Sequence, residues 1–185
     1  MRIIAGRFGG RKLTPVGKGD AAAHLRPTTD RVRQALFSAL EGGRYGDPID
    51  GAQVLDLFAG TGALGLEALS RGAAHVIFVE NGRKSTSLLQ ANITLLDAQD
   101  TRILKTDATR LPSAITPATL VFLDPPYGQD LGQTALTIAL KNGWIAPGAL
   151  IVWEEAAPMQ APQGFTIRDH RRYGVTHVSF LDAQS

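Results

Sequence analysis

Val54-Leu55-Asp56-Leu57-Phe58-Ala59-Gly60-Thr61-Gly62 decides how this chain folds. An apolar run of strand type carries one carboxylate, two glycines fill the turn that follows, and a helix begins immediately afterward. Glycines there let a ligand come close to the backbone, and Asp56 stands where a carboxylate can accept a hydrogen bond or fix the loop. The next apolar run, Val76 to Val79, ends in Glu80. An acid at the carboxyl edge of a parallel sheet sits where ligands bind, and its two oxygens suit the paired hydroxyls of a ribose.

Outward from this stretch, short apolar runs alternate with helical patterns, the sign of a parallel sheet built from βαβ units. Val54 to Phe58, Val76 to Val79, Ile103 to Leu104, Leu120 to Leu123 and Leu150 to Trp153 read as strands. Leu88, Leu89, Asn92, Ile93 and Leu96 recur at helical spacing, as do Leu131, Ala135, Ile138 and Ala139. Phe165 to Tyr173 and Val175 to Leu181 meet at Gly174 with no room for a helix, so an antiparallel hairpin closes the sheet. The fold class is α/β.

Ahead of this body, Arg2 to Phe8 and Arg11 to Thr14 flank Gly9-Gly10, which reads as a tight hairpin. Pro27-Thr28-Thr29 opens a helix whose apolar face is Val32, Ala35, Leu36, Ala39 and Leu40, with Arg31, Arg33 and Arg44 flanking or off that face. Positions 1–44 carry nine Lys/Arg against three Asp/Glu, whereas the remainder carries ten against fourteen. A basic front on an acidic body suggests that the first segment faces a polyanion; a solvated arm has the same composition. One domain spanning 1–185 is expected, with 1–44 as a basic extension and 45–185 as the catalytic core.

The chain has no cysteine, which removes disulfides, thiol nucleophiles and thiolate metal sites together. His24, His75, His170 and His177 lack metal-ligand spacing, so no metal is expected. No apolar run approaches the roughly 20 residues of a membrane span, and Met1 to Gly6 lacks a secretion-signal core, so a cytoplasmic protein without membrane partners is expected. Trp144 and Trp153 read as core; Arg168, Arg171, Arg172 and Tyr173 read as an edge strand protected by charge, with RNA contact as the other reading.

Gly60-Thr61-Gly62-Ala63-Leu64-Gly65 also matches GxGxxG, with Glu80 near the distance at which the acidic ribose ligand is expected. That pattern fits a nicotinamide site as well as another nucleoside site. Asp107, after the third strand, could take a bond from an adenine amine or simply cap the next short helix. The discriminating motif is Asp124-Pro125-Pro126-Tyr127, at the end of an apolar strand. Two prolines fix φ and remove two backbone donors, leaving carbonyls and the Asp124 carboxylate as a rigid, acceptor-rich turn beside an aromatic ring. Such a pocket suits a planar base bearing an amino group, with Tyr127 stacked on it, and hydride transfer has no use for it.

With both motifs in place, the body resembles the class I methyltransferases. The whole chain resembles the bacterial 16S rRNA guanine-N2 methyltransferases of the RsmD family, through MRIIAGRFGGRKL (1–13), RPTTDRVRQALFSAL (26–40) and LDLFAGTGALGLEALSRGA (55–73). The resemblance implies a Rossmann-like, seven-stranded, mostly parallel sheet with a C-terminal antiparallel hairpin and an N-terminal β-hairpin and helix extension. It implies methylation by S-adenosyl-L-methionine of a guanine N2, at position 966 of 16S rRNA, in the assembled or assembling small subunit. Asp56, Phe58, Gly60, Thr61, Gly62, Glu80, Asn81, Asp107 and Ala108 would then bind cofactor, and Asp124, Pro125, Pro126 and Tyr127 would hold the guanine. Arg2, Arg7, Arg11, Lys12, Arg26, Arg31 and Arg33 would grip RNA. Gln34 and Ser38 depart from the family pattern of Glu and Asn, and Asn81-Gly82 interrupts the run after the ribose acid. DPPY is shared with adenine-N6 enzymes, which are the runner-up reading; a non-catalytic RNA-binding assembly factor is the third.

Overall fold

The structure, a computed structural model, describes residues 1–15, 29–126 and 130–184. Helix α1 (Asp30–Glu41) precedes β1 (Gln53–Leu57), α2 (Ala63–Ser70), β2 (His75–Val79), α3 (Arg83–Leu96) and β3 (Thr101–Leu104). Then come β4 (Ala118–Leu123), α4 (Leu131–Lys141), β5 (Ile145–Glu155), β6 (Phe165–Tyr173) and β7 (Thr176–Ala183). The seven strands lie in the order β3-β2-β1-β4-β5-β7-β6. β1 to β5 are parallel, and β7 runs antiparallel to both its neighbours. The chain winds one way from β1 through β2 to β3 and then crosses to β4, so the strand order reverses between β1 and β4 and opens a crevice at their carboxyl ends.

Alternation along the buried strands divides the core into two layers. Leu120 and Phe122 of β4 join Leu36, Phe37 and Leu40 of α1 with Leu66, Leu69 and Leu89 of α2 and α3. Val121 and Leu123 face the other way, onto Leu136 of α4, Trp144 and Trp153. Both tryptophans are core residues, as their positions at element ends suggest. β2, β3, β4 and β5 extend beyond their sequence-predicted bounds, most of all β5, which pairs with β7 as far as Glu155, whereas β6 keeps its bounds and β1 ends at Leu57, before Phe58.

The N-terminal hairpin takes a different form from the tight turn expected of Gly9-Gly10. One antiparallel bridge, Arg2 with Lys12, is all the β-pairing there, and the positive φ values fall on Gly6 and Gly10. The reason lies in where the backbone donors go. The Ile4 and Ala5 amides donate to the Glu67 carboxylate at 2.8 and 3.1 Å, the Phe8 amide to Ser70 Oγ at 2.9 Å, and the Arg7 amide to the Ser70 carbonyl at 2.8 Å. The arm is therefore bolted to the C-terminal half of α2, and those amides are lost to any strand ladder. A Cβ on Gly6 would fall 1.8 Å from the Ser70 carbonyl oxygen, so that position admits glycine alone.

Helix α1 is capped by Thr29, whose hydroxyl accepts the Val32 amide at 3.3 Å. Its buried face is Arg33, Leu36, Phe37, Ala39 and Leu40, with Val32 and Ala35 at the margins. Arg33 thus lies on the face that docks, not off it. It is fully buried, within 3.6 Å of the equally buried Glu67 and 3.0 Å of Asp30. Burial of the guanidinium is tolerated because these carboxylates and the Arg2 carbonyl receive it.

Candidate functional site

Three consecutive strands end at one height. Leu57 pairs with Val79 on one side and Leu123 on the other, so the residues that follow them, Phe58, Glu80 and Asp124, line one edge. The Asp124 amide donates to the Leu57 carbonyl at 3.5 Å, holding the start of the 124–126 turn against the end of β1.

After β1 the backbone takes positive φ at Phe58, Gly60 and Gly62. For Phe58 this is strained, at a cost of about 1 to 2 kcal/mol that the surrounding loop must offset. Gly62 caps α2, and a Cβ there would lie 2.3 Å from Leu89 Cδ1. A Cβ on Gly65 would lie 2.4 Å from Phe78 Cε1, so this glycine lets α2 close onto β2.

Asp56 lies beneath the loop, 2% exposed, and accepts the Gly65 amide at 2.9 Å. Burial pushes its carboxyl up to about 7; the Gly65 bond opposes the shift and the Glu80 charge adds to it. Asp56 thus accepts a hydrogen bond, as its place in the sequence suggests, and through it holds the first turn of α2 over the end of β1. Glu80 is half-buried and spans two loops: Oε2 accepts the Gly60 amide at 2.8 Å and Oε1 the Gly82 amide at 2.6 Å. Each oxygen keeps a second lone pair, so a diol can bond the same carboxylate. Asn81 is exposed beside it, and a groove of about 900 Å³ runs from Asn81 along α3 past Thr86 and Gln90 to Leu95, outside Glu80 and the glycine loop.

Asp107 caps the 3-10 turn Ala108–Arg110, its Oδ1 accepting from the Thr109 amide at 2.8 Å and the Thr109 hydroxyl at 2.7 Å. These bonds hold its carboxyl below the ordinary carboxylate value. The cap is real; Asp107 is half-buried, and Ala108 behind it is buried. At the opposite side of the crevice Asp124 and Pro126 are half-buried and Pro125 is buried. Tyr127 lies outside the described residues.

Asn92 and Glu67 carry more of the site than their sequence context suggested. Asn92, fully buried, donates to the Thr61 carbonyl at 2.9 Å and accepts the Thr14 amide at 2.7 Å, tying the glycine loop to the end of the N-terminal arm. The signal was an amide on the apolar face of a helix. Glu67 gives a signal of the same kind, as the lone charge within the apolar run of α2.

The basic residues assigned to RNA are scattered. Arg2, Lys12 and Arg31 are exposed. Arg7 stands 3.7 Å from Asp100, and Arg11 donates to the Leu95 and Leu96 carbonyls at 2.8 and 3.2 Å, closing the C-terminus of α3. That end lies roughly 20 Å along the helix from Glu80. Arg33, fully buried, meets no solvent and as folded cannot touch a phosphate. Arg26 lies outside the described residues.

Among solved structures, the Escherichia coli protein yhhF superposes with a TM-score of 0.83 at 36% identity, covering all of this chain and 98% of that one. Among curated proteins, the chain is 43% identical over 155 residues to the ribosomal RNA small subunit methyltransferase D of Escherichia coli, covering 83% of this chain and 74% of that one. It is 35% identical over 182 residues to the protein of the same name from Haemophilus influenzae, covering 95% and 90%. The family model described as conserved hypothetical protein 95 matches residues 1–182, and the chain belongs to that family, the RsmD family of class I methyltransferases.

Proposed function

We propose that this protein methylates the exocyclic N2 of a guanine in 16S small-subunit rRNA, using S-adenosyl-L-methionine, and that it meets its RNA in the assembled or assembling small subunit in the cytoplasm. The observation that carries this reading is the shared edge: a carboxylate fit for a ribose diol, Glu80, and an acceptor-rich proline turn, 124–126, end neighbouring strands on either side of the β1 glycine loop. The residues fit the cofactor by their own chemistry. Gly60 and Gly62 carry no side chain and hold positive φ, Glu80 presents two lone pairs beyond its loop bonds, and Asp107 keeps an oxygen on the neighbouring strand end.

The cofactor, when bound, supplies an electrophilic methyl carried on a sulfonium. A guanine amino group is a weak nucleophile, because its lone pair is delocalised into the ring. Acceptors on its two hydrogens draw it toward the geometry that can attack. The Asp124 carboxylate and the Pro125 carbonyl are such acceptors, and prolines at 125 and 126 offer no backbone N–H to compete with them. Fixing the amine in this way can supply on the order of 7 to 11 kcal/mol through positioning. Among the described residues, no helix is long and apolar enough to cross a membrane.

The test is a nucleoside digest. Small subunits from cells lacking the protein are incubated with it and labelled cofactor, digested and chromatographed. N2-methylguanosine is the expected product. N6-methyladenosine alone would shift the reading to an adenine enzyme, and RNA binding with no label transferred would leave an assembly factor.

A further inference from the structure

The loops that serve the cofactor follow β1, β2 and β3, and the base turn follows β4, so beyond Asp124 the same edge continues through β5, β7 and β6. Register sets the heights there. Leu123 pairs with Trp153, Trp153 with Ser179, and Ser179 with His170. One residue further along, Asp124 is level with Glu154, Val178 and Arg171; Arg172, paired with His177, stands one step further out. With strands about 4.8 Å apart, three spacings carry the sheet roughly 14 Å from Asp124 to β6. A stacked nucleic-acid strand bears a phosphate about every 3.4 Å of axis, so about four nucleotides cover that span.

The hairpin tip is charged and braced. Arg172 is exposed, its Nε donates to the Gly174 carbonyl at 2.9 Å, and among the described residues no carboxylate pairs with it. Arg171 shares the single carboxylate of Asp169 with Arg44, at 3.1 and 3.4 Å, leaving positive charge in excess. The rings of His170 and His177 share a hydrogen bond at 3.0 Å across the two strands and hold them together. Val175, 81% exposed, crowns the turn. Glu155, in register with His177, lies between tip and crevice, so the cationic ground starts at the hairpin itself. At the opposite edge Arg11 closes the end of α3, and Arg7 stands 3.7 Å from Asp100.

We infer that the β6–β7 tip, through Arg171 and Arg172, is a docking surface for the RNA backbone that flanks the target nucleotide. It rests on the reading of this chain as an RNA methyltransferase and adds a surface to it. Cations serving only to protect an exposed strand would have no reason to affect RNA binding.

The full chain is assayed with small subunits as Arg172→Ala, Arg172→Lys and Arg171→Ala/Arg172→Ala, over a salt series and in steady-state methylation. Each lost contact flattens the slope of log K against log salt by about 0.7 to 0.9. KM for RNA rises several-fold in the double variant, while kcat at saturating RNA and calorimetric cofactor affinity hold. Arg172→Lys keeps the wild-type slope. An unchanged slope and KM in the double variant, with wild-type methylation intact, overturns the docking surface and leaves the activity standing. A lysine variant as impaired as the alanine overturns it too, and a wild type that neither binds nor methylates RNA removes both.

Discussion

Asn92 reaches Thr61 through a buried hydrogen bond, Nδ2 donating to the carbonyl at 2.9 Å, while its Oδ1 accepts the Thr14 amide at 2.7 Å. One side chain thereby connects the glycine loop, α3 and the N-terminal arm. Asn92→Leu matches the volume and strands a buried carbonyl, which costs about 1 to 3 kcal/mol. A lowered urea midpoint and weaker cofactor binding by calorimetry are expected together; loss of stability with cofactor affinity intact would mean that the loop does not depend on this bond.

Glu80 and Asp124 should separate binding from turnover. Glu80→Ala removes the acceptor for Gly60 and Gly82 and the diol ligand, so cofactor affinity falls roughly 10-fold or more. Asp124→Ala lowers kcat with cofactor affinity nearly unchanged. Calorimetry and steady-state rates on both variants check this, and equal effects on both quantities would contradict the division of roles.

The Asp56 carboxyl has an ordinary value of 3.8 and is raised to about 7 by burial. Between these values the folded protein holds a proton that the unfolded chain has released. Its contribution to stability is therefore greatest below about pH 4 and is lost as pH climbs through about 7. Asp56→Asn keeps the size and an acceptor for the Gly65 amide and cannot ionise. Its stability relative to the wild type should rise across that window and level off above it, in urea titrations without cofactor. A constant difference would mean that this carboxyl does not titrate there.

Arg33→Ala should act on folding and leave RNA contacts alone. Glu67 keeps Arg71 Nε at 2.8 Å and the Ile4 and Ala5 amides, so the loss comes from emptying a fully buried side-chain site, about 2 to 5 kcal/mol for a large buried side chain cut to alanine. A large fall in melting temperature is expected; a nearly unchanged melt with weakened RNA binding would return Arg33 to the RNA surface.

Gly62→Ala forces a side chain at φ +80° to within 2.3 Å of Leu89 Cδ1. Overpacking of about 1 to 3 kcal/mol adds to about 1 to 2 kcal/mol of left-handed strain. Reduced stability and loss of cofactor binding should appear together, and an alanine variant that bound cofactor normally would show that the loop tolerates a shift.

The order of strands and helices, the glycine turn, the acids Asp56, Glu80, Asp107 and Asp124 and the closing hairpin could all be read along the chain, because each rests on local periodicity or on a motif a few residues long. Parallel topology puts Glu80 and Asp124 at the same edge of the sheet, and the strand order β2-β1-β4 makes them flank one crevice. Tertiary structure decided the rest. Helical periodicity placed Arg33 flanking or off the apolar face, and the carboxylate beside which it is buried, Glu67, is 34 positions away on another helix. Gly9-Gly10 has turn composition, but Glu67 and Ser70 take the amides that a hairpin ladder needs. The basic N-terminal segment looked like one surface from its charge count. Its arginines were assigned to different tasks by what they meet in space, since a guanidinium's partner is chosen by distance in the fold and not by separation along the chain.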